Sequence, residues 1–447
     1  MTDSTMRRFR RETVALVQLT WPMVITNLSY LGMRFTDTVF AGRLSPEDLA
    51  GVSVGGDLWV PVILFIMGIL LAVSPTVSHA YGADRLVDIG ATVRQALWLA
   101  LLASLPGWML LAHGDVLMRA IGVQPDVIPL AAGYLDAIAW GLPAIAMFYV
   151  LRFASEAVSR TRPLLLVASV GLLLNVFADW VLMYGKFGFP ALGAIGTGYA
   201  SAIVQWAMFL VLLVYVYRAN AFRAFRIFEK FEWPQWAPNR ELIRLGFPIA
   251  VAIFMEGTLF SGVGLMMATL GTTVVAGHQI AVNWAALMFM VPMGIAGGIT
   301  VRVGQSLGRG NPEQARFSGV TGIFLCVGIM VLSALTMILF RDHIVALYTR
   351  NPEVTAMALS LLWVAAAFQL FDGLQVAASG VLRGYKDTRV PMIMTLVAYW
   401  FVGFPVAWIG GIVLGFGPIV IWLGLIAGLL VAGVLLMFRL FQIAKKT

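Results

Sequence analysis

The chain has 447 residues, of which 60% are hydrophobic and only 12% charged, with a mean hydropathy of +0.89 and a formal net charge of +8. A soluble domain carries about 25% charged residues, so the composition excludes a soluble globular protein and describes an all-α polytopic membrane protein. Cys326 is the only cysteine, which excludes an internal disulfide and a cysteine-rich metal site.

Apolar runs of about 20 residues, each long enough to cross roughly 30 Å of hydrocarbon, recur along the chain. The basic start MTDSTMRRFRRE leads into a run too long for a signal-peptide core and without a cleavage site, so it is expected to stay as the first span, 14–40. Breaks in hydropathy place the next spans at 49–80, 96–112, 128–150, 163–184 and 194–217. After a basic stretch containing WPQWAPN, further spans are expected at 246–270, 275–303, 318–340, 354–380, 391–413 and 417–438. That makes about twelve transmembrane helices. With the N-terminus placed in the cytoplasm, 24 of the 30 Lys and Arg fall on the inner side and 5 outside, with Arg34 inside a span. The positive-inside rule then puts both termini in the cytoplasm. Membrane orientation accounts for the basic balance, and no nucleic-acid partner is needed.

The chain also repeats itself. Sliding it along itself until Leu16 meets Leu242 lays LVQLTWP (16–22) on LIRLGFP (242–248). The same register lays Ala50-Gly51 on Ala276-Gly277, and Met67-Gly68-Ile69 on Met293-Gly294-Ile295. An even number of spans per half keeps both copies in one orientation. The expected organisation is therefore two parallel-repeat six-helix lobes, 1–217 and 246–447, joined by a cytoplasmic linker at 218–245, with a central cavity of the kind secondary transporters place between repeats.

Six acids fall within the spans: Asp37, Asp57, Asp136, Asp179, Glu256 and Asp372. A carboxylate at the centre of a spanning helix costs about 2.5–3.5 kcal/mol on insertion scales, so such residues are mostly functional. Asp57, Asp136 and Asp179 are expected nearer the outer interface, where solvation is a sufficient explanation. Asp37, Glu256 and Asp372 are expected deeper. Arg34, three residues before Asp37 on the same helical face, is placed to neutralise it. Glu256 and Asp372 have no basic residue within a turn or two of sequence.

Two amide groupings add oxygen donors. Asn175 and Asp179 are four residues apart and share a helix face, and Gln279 and Asn283 repeat that spacing in the second half. A small hard cation wants several oxygen ligands. Such pairs serve equally as interhelical hydrogen bonds, worth roughly 0.6 kcal/mol each. His79 and Asp84 have an H-x4-D spacing used by some acyltransferases, but they end a helix beside a glycine turn with no second motif. His79, His113, His278 and His343 are scattered, and no clustered base and nucleophile marks an enzyme. The many Met and aromatic residues suit lipid-facing and core positions, or an adaptable apolar pocket.

The segments MRFTDTVFAGRLS (33–45), GYKDTRVP (384–391), LFDGLQ (370–375) and FPIAVAIFMEG (247–257) together resemble the multidrug and toxic compound extrusion (MATE) transporters of the NorM branch, over nearly the whole chain. The resemblance implies a multidrug efflux antiporter of the bacterial cytoplasmic membrane. It would export small lipophilic or cationic drugs and dyes in exchange for inward Na+ or H+, as a monomer without cofactor or ATP. Nothing like GxxxxGK[ST] occurs. Carried over residue by residue, the resemblance puts an N-lobe cation (Na+) site at Asp37, Asn175, Asp179 and Thr197. It puts a C-lobe site at Glu256 and Asp372, and Gln279 and Asn283 among the cavity-lining polar groups. Arg34 beside Asp37 departs from the family pattern. A related fold that flips lipid-linked saccharides is the alternative, and it would require a more basic cavity to hold pyrophosphate.

Overall fold

The computed structural model describes residues 3–445, and no strand occurs among them. Besides three short helices (Gly114–Ala120, Asn220–Arg223 and Arg341–Ala346), twelve long helical segments follow in order: α1 (Asp3–Leu44), α2 (Pro46–Gly82), α3 (Leu86–Ala112), α4 (Ile128–Ala139 with Leu142–Ala157), α5 (Arg162–Tyr184) and α6 (Ala194–Arg218). The second half holds α7 (Trp236–Thr269), α8 (Thr272–Gly308), α9 (Pro312–Leu339), α10 (Pro352–Gly384), α11 (Arg389–Val413) and α12 (Pro418–Ala444). Eleven are individually long and apolar enough to cross a membrane, and the bent pair α4 brings the number to twelve. Several run past the expected limits: α1 begins at Asp3 and α7 at Trp236. A helix satisfies its own backbone whether lipid or water surrounds it, so charged turns prolong it beyond the apolar run.

The span expected at 128–150 is broken rather than straight, bent by 47° between Ala139 and Leu142. Pro143 lacks the N–H that would bond the Ala139 carbonyl one turn back, and at the same break the carbonyl of Trp140 accepts from the Trp206 indole at 3.0 Å. Gly141 leaves room for Gln205 and Ala202 of α6, which any Cβ would strike.

By contact, the chain forms two compact units, Ile25–Ala250 and Met1–Val24 with Val251–Thr447. The boundaries lie inside α1 and α7, not in the linker where counting helices puts them. The two cuts are counterparts in the register at which the sequence repeats: Val24 falls on Ala250, and Ile25 on Val251. The first half of α1 packs with α8 and its neighbours. There Leu16 is fully buried in a core with Ile295, Ile299, Val303 and Val381, and a Cβ on Gly294 would fall 2.6 Å from the side chain of Val24. The first half of α7 packs with α2: a Cβ on Gly68 would lie 2.5 Å from the Cα of Ala250. Gly68 pairs with Gly294, and Val24 with Ala250, in the same register. One helix crossing is thus built twice.

The segment between α6 and α7 is clamped to the start of α3. Arg94 donates to the carbonyls of Arg226 (2.8 Å) and Ile227 (3.2 Å) and pairs with Glu232 at 3.0 Å. The Gln95 amide donates to the Trp233 carbonyl at 3.0 Å and accepts from the backbone N–H of Gln235 (2.7 Å) and from Asn239 (3.1 Å).

Candidate functional site

In unit Ile25–Ala250 the predicted N-lobe residues converge. Asp37 comes from α1, Asn175 and Asp179 from successive turns of α5, and Thr197 from the first turn of α6; all four are buried. The Asn175 amide donates to Asp37 Oδ1 at 3.2 Å, and the Ser201 hydroxyl, one turn beyond Thr197, donates to Asp37 Oδ2 at 3.4 Å. Asp37 and Asp179 lie within electrostatic reach of one another, and Tyr134 of α4 within reach of both. Four oxygens in this group are buried without a hydrogen-bond partner: Asn175 Oδ1, both carboxylate oxygens of Asp179, and Thr197 Oγ1. A buried oxygen left unpaired costs about 1–3 kcal/mol, and two carboxylates cannot both remain charged in a dry site. A proton or a small cation supplies what the group lacks.

Asp179 is fully buried, so the solvation expected to explain it does not. Asp57 and Asp136 are exposed. Arg34 makes no ion pair with Asp37: its side chain is exposed while the carboxylate is buried. The i,i+3 spacing brings the two residues to one side of α1, but the long arginine turns outward from a pocket that already supplies Asp37 with two neutral donors.

The second grouping lies in the other unit. Glu256 on α7 is half-buried and Asp372 on α10 is buried, and the two interact electrostatically. Tyr399 of α11, fully buried with an unpartnered hydroxyl, lies within the field of both. Arg383 acts on Glu256 from three turns further along α10 than Asp372. The Gln375 side-chain oxygen is also buried and unpartnered, and Cys326 donates to the Gly373 carbonyl at 3.4 Å. Gln279 and Asn283 are exposed on α8, and no hydrogen bond among the described residues joins them to Glu256 or Asp372.

Sequence reasoning missed Ser201, Tyr134, Tyr399 and Arg383 as members of these groups. Ser201 was detectable, since it repeats the Asn175–Asp179 spacing one helix on, from Thr197. Arg383 was hidden among the charges that set membrane orientation. A further buried pair escaped notice: Arg152 and Glu156, four apart on α4, bond at 2.8 Å, and Arg152 also donates to Asn27 at 2.7 Å. His278 is structural, accepting from the Trp422 indole at 3.1 Å. Among the described residues no three His, Cys, Asp or Glu side chains gather as metal ligands. The donors that do gather are carboxylate, amide and hydroxyl oxygens, a set suited to a proton or a hard cation.

The comparisons with known proteins agree with this architecture. A family model described as MatE matches twice, over residues 22–181 and 248–409, and its two starts, Pro22 and Pro248, are again counterparts in the repeat. Multidrug resistance protein MdtK of Yersinia pseudotuberculosis is 41% identical over 446 residues, covering 99% of this chain and 98% of that one. Multidrug resistance protein PmpM of Pseudomonas aeruginosa is 43% identical over 444 residues, covering 98% and 93%. The crystal structure of a eukaryotic MATE transporter, AtDTX14, superposes with a TM-score of 0.90 at 22% identity, covering 98% of both chains, a likeness of fold alone. With the family model repeated over both halves and relatives collinear almost from end to end, the chain belongs to the MatE family.

Proposed function

We propose that this chain is a multidrug efflux antiporter of the bacterial cytoplasmic membrane, exporting lipophilic organic cations in exchange for inward Na+ or H+. The observation that carries this reading is the set of unpartnered buried oxygens beside Asp37. They form a site whose charge and hydrogen bonding are completed by a proton or Na+, and whose carboxylates attract an organic cation when that ion is absent. Similarity to relatives named multidrug resistance proteins supports the substrate class. Asp372 and Glu256 form a second acidic group that the same ions would neutralise. Exchange follows if organic cation and coupling ion favour different conformations, since equal affinity for both would shift nothing. The distribution of Lys and Arg supports cytoplasmic termini. A saccharide-lipid flippase would need a basic site, whereas these two groups are mainly acidic.

Purified protein in liposomes, loaded with a fluorescent organic cation, should expel it under an imposed Na+ gradient, a pH gradient, or both. Asp372→Asn keeps the side-chain shape and removes the charge, so coupled export should collapse while protein abundance is undiminished. Asp136→Asn, at an exposed position, should be nearly silent. Normal ion-driven export by the Asp372→Asn protein would remove the second group from the mechanism.

A further inference from the structure

Within unit Ile25–Ala250, the stretch joining α6 to α7 carries an aromatic surface that its clamp onto α3 leaves uncovered. Along residues 222–233 the apolar side chains divide. Phe222, Phe225 and Ile227 are buried, with Phe222 edge-on to Tyr215 of α6 and Phe225 edge-on to Tyr81 of α2. Phe228, Phe231 and Trp233 turn the other way and are 40, 70 and 72% exposed. These three are nonetheless held in place. Phe228 meets Tyr217 of α6 at 5.7 Å, and Trp233 stacks on Trp98 of α3 at 6.1 Å. Phe231 meets Trp98 and Trp233 edge-on, at 6.0 and 5.2 Å, and the Trp98 indole donates to the Glu232 carbonyl at 2.9 Å. Contiguous apolar rings left open to the surroundings mark an interaction surface.

The two ends of this surface say what covers it. Tyr217 closes a row of exposed side chains on one face of α6, after Leu210 and Val214. Half-buried Trp98 opens a second row on α3, followed at helical spacing by Leu102, Leu105 and Met109, all exposed. Both rows belong to helices long and apolar enough to cross a membrane, so hydrocarbon is what faces them. The rings of the joining stretch bridge the two rows at their ends. We propose that Phe228, Phe231 and Trp233 lie at the boundary between head groups and acyl chains, so that this stretch is an in-plane membrane anchor and not a loop in water. Aromatic rings favour that depth. The charges between them are already paired, Arg226 with Glu229 at 3.6 Å and Lys230 with Glu232 at 2.7 Å, so a neutral lipid surface suffices. The leaflet is the cytoplasmic one if Lys and Arg orient the chain as proposed, and the depth is the same in either orientation.

The test measures depth with full-length protein in phosphatidylcholine vesicles. Cys326→Ser removes the single thiol. Phe228→Cys, Phe231→Cys or Asp88→Cys is then added singly and labelled with an environment-sensitive fluorophore. Phe228→Cys lies outside the Trp98 ring group, so it reads depth even if Phe231→Cys loosens that group. Asp88 is the control, exposed on α3 almost three turns before Trp98. Labels at Phe228 and Phe231 should emit at shorter wavelength than the label at Asp88 and should resist quenching by aqueous iodide. A nitroxide carried by the lipid near the carbonyl end of its acyl chain should quench them more than one at the terminal methyl. The Asp88 label should be quenched by iodide and not by either lipid. Iodide quenching at Phe228 and Phe231 equal to that at Asp88, without lipid quenching, would overturn the proposal and mark the surface as one for a protein partner. Quenching strongest at the terminal methyl would overturn it too, since the rings would then lie in the hydrocarbon centre.

Discussion

Asp37 is served by two neutral donors, Asn175 and Ser201, and by no cation close enough to form an ion pair. Its charge is therefore left available to a moving ion. Asp37→Asn keeps one oxygen to accept from Asn175, with the Ser201 hydroxyl turning to accept from the new amide N–H, and should lower ion-driven export by tenfold or more, since a charged hydrogen-bonded group contributes about 1.5–3 kcal/mol. Transport in liposomes at matched protein amounts measures this. Arg152 and Glu156 make the opposite case: a buried pair closed on itself, with Asn27 completing it. Glu156→Gln leaves the guanidinium buried without its counter-ion and should cost about 3–5 kcal/mol, seen as a lower apparent Tm in detergent. Replacing the pair together, with Arg152→Met and Glu156→Leu, should be milder. Single residues were legible in the sequence where a charge breaks an apolar run, as Asp37 and Asp372 do. What surrounds them was not. Whether Arg34 turns toward Asp37 or away depends on α5 and α6, far along the chain.

The elements themselves were more legible, because an apolar run long enough to span hydrocarbon has few other places to go. Their ends and breaks were less so. Pro143 kinks α4 while Pro22 and Pro248 sit within continuous helices, and the difference is made by tertiary partners such as Trp206 and Gln205. Within α11, Val397–Gly403 and Val406–Val413 wind as wide π-helical turns that hydropathy does not announce. The segment before α7 looked like a tether, and it is a clamp. Its Glu232 carboxyl is held down to about 2 by hydrogen bonds from Arg94 and then Lys230. A folded value below the ordinary one means that this contribution is complete above about pH 4.5 and is lost as pH falls toward 2. Amide-exchange protection of residues 231–235, corrected for intrinsic rates, should fall across that window. In Glu232→Gln it should be weaker throughout and flat with pH. Gln95→Leu should loosen the same stretch at every pH, because it removes the bonds to Trp233, Gln235 and Asn239 at once.

At the scale of the molecule, the repeat was readable from scattered glycines and prolines, and its register reappears in both packing boundaries and both family-model matches. The unit boundaries were not readable, since nothing in the sequence of α1 says that its two halves pack in different cores. The duplicated crossing gives a direct check. Gly68→Ala and Gly294→Ala each drive a methyl into a neighbouring helix, at 2.5 and 2.6 Å, and should each cost about 1–3 kcal/mol. Thermal unfolding should show similar losses for the two. Gly56→Ala and Gly328→Ala, where a Cβ meets nothing within 4 Å, should not.

The division of α1 also bears on the order in which the protein is made. Unit Ile25–Ala250 has all its parts once Ala250 has left the ribosome. The first half of α1 must wait for α8, and Thr20 meets its partner Gly298 only after every helix from α2 to α7 has been synthesised. At about 5–20 residues per second that interval is on the order of ten seconds to a minute. Throughout it, Leu16 and Leu19 have only lipid or a chaperone to cover them. Nascent chains stalled before Val291 should therefore show the segment ending at Val24 open to protease or crosslinking while Ile25–Ala250 is already protected. Full-length chains, which carry Val381 and Leu440 of the same core, should show both closed.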